Sequence, residues 1–212
     1  LADGVFNPFE LPGVSVDYGI PANHKINAAV QWTTANSATS DPLADLIAAC
    51  DVYEQTNGFR PGRAITSRAR LRAASTSTKL INAVRGAQAG VSRIAFADAY
   101  GLFDNEGLPT LWSTYETNLS VGGVTTRVLP DDKIILLPPN PGDALEFQLG
   151  VTATALELVN SSKVEFDYEL APGVTVVTVK SDGVPFREFT YADAIGLPVV
   201  VDPKQIMILD AA

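Results

Sequence analysis

The sequence predicts a mixed α+β fold in which a group of helices precedes a half made mainly of strands. Between about Asp41 and Phe103 the apolar residues recur at helical spacing behind residues that cap helices. From Leu108 onward they alternate, or run in short blocks separated by Gly and Pro turns, as is typical of strands. With 212 residues and 46% hydrophobic content, the chain has room for one or two domains.

The first forty residues are rich in Pro, Gly, Asn, Ser and Thr. Two extended patches, residues 14–20 and 27–34, predict two short strands. The start, LADGVFNPF, has neither an initiator Met nor a signal-peptide pattern, so we expect an excised part of a longer chain.

A capped helix is predicted next. Asp41 or Ser40 can serve as its N-cap, Pro42 fits its first turn, and Asn57-Gly58 supplies a left-handed stop. Its apolar residues share one helical face, which we expect to be buried: Leu43, Leu46, Ile47, Cys50 and Tyr53. On that face Cys50 is expected to be an inert packing residue.

The stretch TNGFRPGRAITSRARLRAAS contains five arginines and no acid, in a chain of net charge -9. It predicts a turn, a short strand RAITS and a second helix capped by Ser67. The arginines are Arg60, Arg63, Arg68, Arg70 and Arg72. Arg68 and Arg72 share a helix face at a four-residue spacing, whereas Arg70 points elsewhere.

Further helices are expected from Ser77 or Thr78 to about Arg85, and from a Ser92 cap to Phe103. Strands are then predicted at residues 110–117, 124–130, 133–139, 146–152, 163–170, 173–180, 185–191, 196–203 and 205–211. Turns such as Gly122-Gly123 separate them.

The sequence contains no recognisable catalytic, metal or cofactor motif. The single histidine, His24, is expected to be a solvated loop residue, and neither a G-x-S-x-G turn nor a phosphate-binding glycine loop occurs. Asp104 to Gly107 is interpreted as a helix-ending turn rather than a calcium loop, and Asp131-Asp132 as turn chemistry rather than a metal pair. Trp32 and Trp112 are expected to pack in a core or an interface.

The order of these segments resembles the major capsid proteins of tailed phages, specifically the lambda-type capsid protein E family with the Hong Kong 97 fold. The resemblance lies in DPLADLIAACDVYEQTNGFRPGRAITSRARLRAAS, followed by FDNEGLPTLWSTYET, RVLPDDKIILLPP and LGVTATALEL. The ending VPFREFTYADAIGLPVVVDPKQIMILDA and the early VDYGIPANHKINAAVQW are similar to the family's last strands and to the segment before its long helix.

The resemblance implies a spine helix in a peripheral domain of residues 1–57, a mixed axial domain of residues 58–160, and strands in residues 161–212 that complete the axial sheet and return to the peripheral domain. It also implies that the family's N-terminal arm and most of its extended loop are missing. The expected function is a self-assembling, non-enzymatic shell subunit around double-stranded DNA, formed in the bacterial cytoplasm as pentamers and hexamers. Scaffolding, portal and decoration proteins are further expected partners, without membrane or sequence-specific nucleic-acid binding.

Two other classes stay open, namely an encapsulin-like compartment shell and an enzyme built from scattered acids such as Asp98, Asp104 and Glu106. The candidate subunit-interface residues are the five arginines with Asp131 and Asp132. The arginines are interpreted as interface or internal ion-pair residues, with a solvated helix face as an equal alternative and genome contact third.

Overall fold

The computed structural model describes residues 5–6, 13, 15–87, 90–160, 167–171, 173–181 and 187–212. They fall into two compact units, one within residues 1–144 and 200–212 and the other within residues 145–199. Each unit combines strands with helix, so the mixed α+β prediction is confirmed.

The α-helices of the described chain are α1 (Pro42–Asn57), α2 (Arg68–Ala74), α3 (Thr78–Arg85), α4 (Tyr100–Asn105) and α5 (Ala153–Asn160). The Asp41 side chain accepts a hydrogen bond from the Ala44 N–H at 3.1 Å, and Gly58 ends α1 with a φ of 77°. Ser67 caps α2 in the same way. Both predicted caps are confirmed. The sequence could predict them because helix ends of this kind depend on side chains within a few residues.

Two helix predictions need correction. Ser92 does not cap a helix, since a 3-10 turn begins only at Phe96 and runs into α4. Before this turn the Ile94 N–H donates to the distant Ser75 carbonyl, so it is not used within a helix, and the Ile94 side chain is buried. Helix α5 was not predicted, and the Thr152 hydroxyl at its start accepts a hydrogen bond from the Ala155 N–H.

The strands are β1 (Val5–Phe6), β2 (Val16–Asp17), β3 (Lys25–Asn27), β4 (Arg63–Thr66), β5 (Leu111–Thr114), β6 (Asn118–Val121), β7 (Val124–Arg127), β8 (Lys133–Leu137), β9 (Leu145–Leu149), β10 (Asp167–Ala171), β11 (Val174–Ser181), β12 (Arg187–Ala194), β13 (Gly196–Val200) and β14 (Met207–Asp210). Most of them overlap the segments predicted as strands, but β1 and β6 were not predicted, and β3 shares only Asn27 with the predicted segment 27–34. Residues 163–166, within one predicted strand, and 185–186, within another, lie outside the described residues.

The first unit is built on a five-stranded mixed sheet of order β3-β14-β8-β4-β5. The last strand, β14, pairs in parallel with β3 and antiparallel with β8, while β4 pairs antiparallel with β8 and in parallel with β5. The early and late parts of the sequence therefore meet side by side. A separate two-stranded hairpin, β6-β7, follows β5 along the chain.

The strand predicted at residues 27–34 is wrong beyond Asn27. The following backbone instead donates from Ala28 to the Asp210 carbonyl and from Trp32 to the Ala211 carbonyl. Asp45, in the first turn of α1, accepts from the Trp32 indole at 2.8 Å and from the Ala29 N–H at 3.1 Å. The buried Asp45 carboxylate thus binds the segment of Ala29 and Trp32 to the first turn of α1.

The core of the first unit lies among α1, the shorter helices and the sheet. Its largest fully buried apolar side chains are those of Trp32, Leu46, Tyr53, Leu80, Phe103, Ile134, Leu136, Met207 and Leu209. Cys50 is fully buried in the same cluster, and burial raises the pKa of its thiol to about 12. Its predicted role as a packing residue is confirmed.

The second unit contains α5, the antiparallel sheet β10-β11-β12 and the two-stranded sheet β9-β13. Two of its glycines allow close packing. A Cβ at Gly196 would lie 2.3 Å from the Phe147 ring, and one at Gly173 would lie 2.8 Å from the Leu149 side chain.

Candidate functional site

Arg60 uses its guanidinium for partly exposed contacts within the first unit. Its guanidinium lies 2.6 Å from the Asp51 carboxylate and 2.8 Å from the Glu54 carboxylate, and it also donates to the Glu106 carbonyl at 2.8 Å. It therefore joins α1 to the turn that ends α4. Of the open interpretations for this residue, the structure supports the internal ion pair.

Arg70 also uses its guanidinium within the chain. It donates to the carbonyl oxygens of Trp32, Ala211 and Asp131, the last two at 2.9 and 3.1 Å. One side chain thus joins α2 to the segment after β3, to the chain end after β14 and to the turn before β8. Nothing local in the sequence indicated this role, because its acceptors are backbone oxygens from distant segments.

The remaining arginines of the stretch are exposed: Arg63, Arg68 and Arg72. Arg63 makes a hydrogen bond of 3.3 Å to the Pro139 carbonyl. The Arg68 backbone N–H donates to the Glu116 carboxylate, and this bond is the main reason that the pKa of Glu116 lies below its ordinary value. Within the described residues, no hydrogen bond or ion pair involves the Arg72 guanidinium.

The two acids of the predicted set lie in the turn before β8 and have separate partners. The Asp131 carboxylate lies 2.9 Å from the Arg127 guanidinium, which also lies 2.9 Å from Glu116. The Asp132 carboxylate lies 3.6 Å from Lys133, which in turn contacts Asp210. The result is two separate groups, each with one cation between two carboxylates, and the first of them contacts the start of α2 through the bond from the Arg68 N–H to Glu116.

Lys133 and Asp210 each have a shifted pKa. Burial disfavours both charges, but their mutual hydrogen bond, and for Lys133 the nearby Asp132 as well, outweighs it. The pKa of Lys133 is therefore raised and that of Asp210 is lowered. This pair joins β8 to β14, whose register places Lys133 opposite Asp210.

His24 is fully buried, and its predicted place in solvent is wrong. Its Nδ1–H donates to the Ile206 carbonyl at 3.1 Å, its Nε2 lies 2.9 Å from the Thr56 hydroxyl oxygen, and its ring stacks on Tyr53. The end of α1 and the segment before β14 cover it. Since Thr56 lies 32 and Ile206 lies 182 residues further along the chain, no local pattern could indicate that His24 is buried.

The acids considered for an enzyme site make separate contacts in the structure. Asp98 pairs with Arg85 at 2.6 Å, and Gly107, with a φ of 65°, ends α4 by a hydrogen bond to the Asp104 carbonyl. In the part of the chain that the structure describes, no group of three or more His, Cys, Asp or Glu side chains could hold a metal ion. No helix there is long and apolar enough to cross a membrane.

Comparison with known families identifies the chain. The family model for phage major capsid protein E matches residues 8–164, about three quarters of the sequence. The chain therefore belongs to the phage major capsid protein E family. No curated protein matches it.

Solved structures show the same fold. One described as a prophage capsid protein of Escherichia coli CFT073 is similar with a TM-score of 0.57 at 17% identity, and 95% of this chain aligns with 57% of that one. A phage-related protein of Bordetella bronchiseptica RB50 gives 0.53 at 16% identity, with coverages of 91% and 56%. The chain thus spans somewhat more than half the length of these structures. The SrpI encapsulin of Synechococcus elongatus PCC 7942 gives a TM-score of only 0.38 at 10% identity.

Proposed function

We propose that the chain forms the body of a structural subunit in an icosahedral phage or prophage shell that encloses double-stranded DNA. The observation that carries this proposal is the family match over residues 8–164. The fold shared with the prophage capsid protein supports it. Family membership also favours a purely structural role without catalysis, and a place in the virion capsid.

The finer features of the shell belong to the same proposal. The subunit would adopt a Hong Kong 97-type arrangement, with residues 1–57, 58–160 and 161–212 distributed between peripheral and axial domains as the resemblance implies. It would assemble with copies of itself into pentamers and hexamers. Scaffolding, portal and decoration proteins would be its other partners, and assembly would take place in the host cytoplasm.

The exposed arginines are proposed to contact acidic surfaces of neighbouring copies. Arg68 and Arg72 lie one turn apart on α2 and are both exposed, while the chain as a whole carries a net charge of -9. Acidic copies repel one another, so a local basic surface lowers the electrostatic cost of bringing them together. Arg60 and Arg70 are excluded from this proposal because their guanidinium groups already bind within the chain.

The encapsulin alternative has no observation in its favour. The experiment that separates it from a phage shell is expression from the complete gene, followed by electron microscopy and nucleic-acid analysis of any particles. We expect closed icosahedral shells. Absence of shells under conditions in which the protein is folded and soluble would contradict the proposal, and shells that capture a cellular enzyme instead of phage DNA during infection would favour the compartment function.

A further inference from the structure

The hairpin of residues 115–128, here called the apolar hairpin, exposes hydrophobic side chains on one face. Its strands β6 and β7 pair residue 119 with 126 and residue 121 with 124. Directly opposed residues of an antiparallel pair share a face, so Leu119, Val124 and Thr126 lie on one side and Ser120 and Thr125 on the other. Leu119 is 57% and Val124 67% exposed.

Among the strands that the structure describes, none pairs with this ribbon as a third strand. Its two strands form a sheet by themselves, and an isolated two-stranded ribbon is only marginally stable in water. An apolar face on such a ribbon stays costly until another surface covers it. Val128 and Tyr115, at its base, are also exposed.

The base of the apolar hairpin is nevertheless held in place. The Arg127 guanidinium donates to the carbonyl oxygens of Tyr115 and Leu129 at 3.3 and 3.2 Å and pairs with Glu116 and Asp131. Gly122 and Gly123, both at positive φ, form the tight turn at the tip. The exposed face is thus presented on an ordered base, and preorganisation lowers the entropy lost on binding.

Charge indicates which partner fits this face. Glu116 and Arg127 are the only charged residues of the apolar hairpin, and they pair with each other at 2.9 Å, so the hairpin has no net charge. Two copies of a chain with a net charge of -9 repel each other over most approaches. A neutral apolar surface lets identical copies meet without placing like charges together.

We propose that the apolar hairpin packs Leu119 and Val124 against a second copy of this chain in a head-to-tail contact. A reciprocal hairpin-to-hairpin pair would bury far less than the roughly 800 Å² per partner of a stable interface. In a head-to-tail contact each copy gives one hairpin and receives another, so every chain takes part in two such contacts, which repeat around a ring. This inference deepens the proposed shell function and rests on it.

The first test is cross-linking of the purified chain. Thr126→Cys and Thr125→Cys place a thiol on the apolar and the polar face respectively, each labelled with benzophenone maleimide and irradiated. Cys50 is buried with a raised pKa and is expected to stay unlabelled. We expect covalent chain-to-chain adducts at least fivefold more abundant for Thr126→Cys. Equal yields from both variants, or no adducts, would overturn the proposal.

The second test measures assembly of the complete gene product. Leu119→Thr with Val124→Thr places residues of high β-propensity at both strand positions but removes apolar surface, and Val16→Thr with Val91→Thr is the matched control at exposed positions elsewhere. We expect the hairpin variant to lose at least tenfold in particle yield at an unchanged melting temperature, while the control assembles. Normal particles from the hairpin variant, an equal loss in the control, or a lowered melting temperature would each contradict the inference.

The two proposals fail in different ways. Particles from the wild type together with normal particles from the hairpin variant would leave the shell function intact and remove the hairpin contact. If the wild type forms no particles, the shell function fails, and the cross-linking yields still decide whether copies meet through the apolar hairpin.

Discussion

Arg70 donates to backbone oxygens of three segments, whereas Arg72, two residues further along α2, is exposed to solvent. Helical residues two apart point in nearly opposite directions, so one short basic stretch serves both the interior and the surface. Arg60 shares the inward role and Arg68 the outward one. Arginines that lie close together in the sequence therefore do not all belong to one basic surface. The direction of each side chain on the helix, and the acceptors supplied by distant segments, determine which of them face solvent.

The largest effect is expected for Arg70→Met. The change removes the hydrogen bonds to Trp32, Ala211 and Asp131 and leaves their carbonyl oxygens without this donor. Hydrogen bonds to a charged group each contribute about 1.5–3 kcal/mol, and partial solvent access reduces the sum, so we expect a loss of about 3 kcal/mol in the free energy of unfolding. Urea denaturation measures it.

The control for that experiment is Arg72→Met, which makes the same chemical change on the outer face of the helix. Its free energy of unfolding should match that of the wild type. Equal losses in the two variants would mean that the inward and outward roles are not distinct.

A smaller effect is expected for Arg60→Met. Its side chain is 31% exposed and its two carboxylate partners are 47% exposed, so solvent screens both ion pairs. We expect a loss of about 1 kcal/mol, mostly from the hydrogen bond to the Glu106 carbonyl. Thermal unfolding alongside Arg63→Met, whose guanidinium has no acidic partner in the described chain, checks the value. A loss as large as that of Arg70→Met would contradict the expectation that Arg70 contributes more to stability than Arg60.

The pair of Lys133 and Asp210 predicts a pH dependence. The pKa of Asp210 is lowered from 3.8, so its contribution to stability is present above about pH 4 and is lost as the pH falls through its folded pKa. The pKa of Lys133 is raised from 10.5, so its contribution is lost only as the pH rises above that value. Between pH 5 and pH 2, Asp210→Asn should therefore lose less stability than the wild type. Denaturant titrations measure the free energy of unfolding at each pH, and an equal loss in the two proteins between pH 5 and pH 2 would contradict this prediction. Asp104→Asn, at an exposed position, is the control.

The smallest effect on folding is expected for Arg72→Glu, which should change the free energy of unfolding by no more than about 0.5 kcal/mol. If Arg72 contacts an acidic surface of the next copy, particle yield from the complete gene should nevertheless fall sharply, because the like-charge contact repeats in every copy. Sedimentation measures that yield. Normal particles with a reduced and salt-dependent DNA content would instead indicate genome contact.

Local chemistry was sufficient for part of this molecule. The ends of α1 follow from Asp41 and Gly58, the start of α2 follows from Ser67, and the β6-β7 turn follows from its two glycines. These features depend on side chains and φ values within a few residues, so the sequence carries them directly. The candidate site was predicted only as a group of residues, because the sequence could not separate inward from outward arginines.

The sequence by itself determined the helix caps, the strand segments in which apolar residues alternate with polar ones, the packing role of Cys50 and the resemblance to a capsid family. Only the tertiary structure decided the burial of His24, the three acceptors of Arg70 and the pairing of β3 with β14. The physical reason is separation along the chain. His24 bonds to Ile206 and Arg70 to Ala211, and contacts between residues more than a hundred positions apart leave no periodic or local signal in the sequence around either partner.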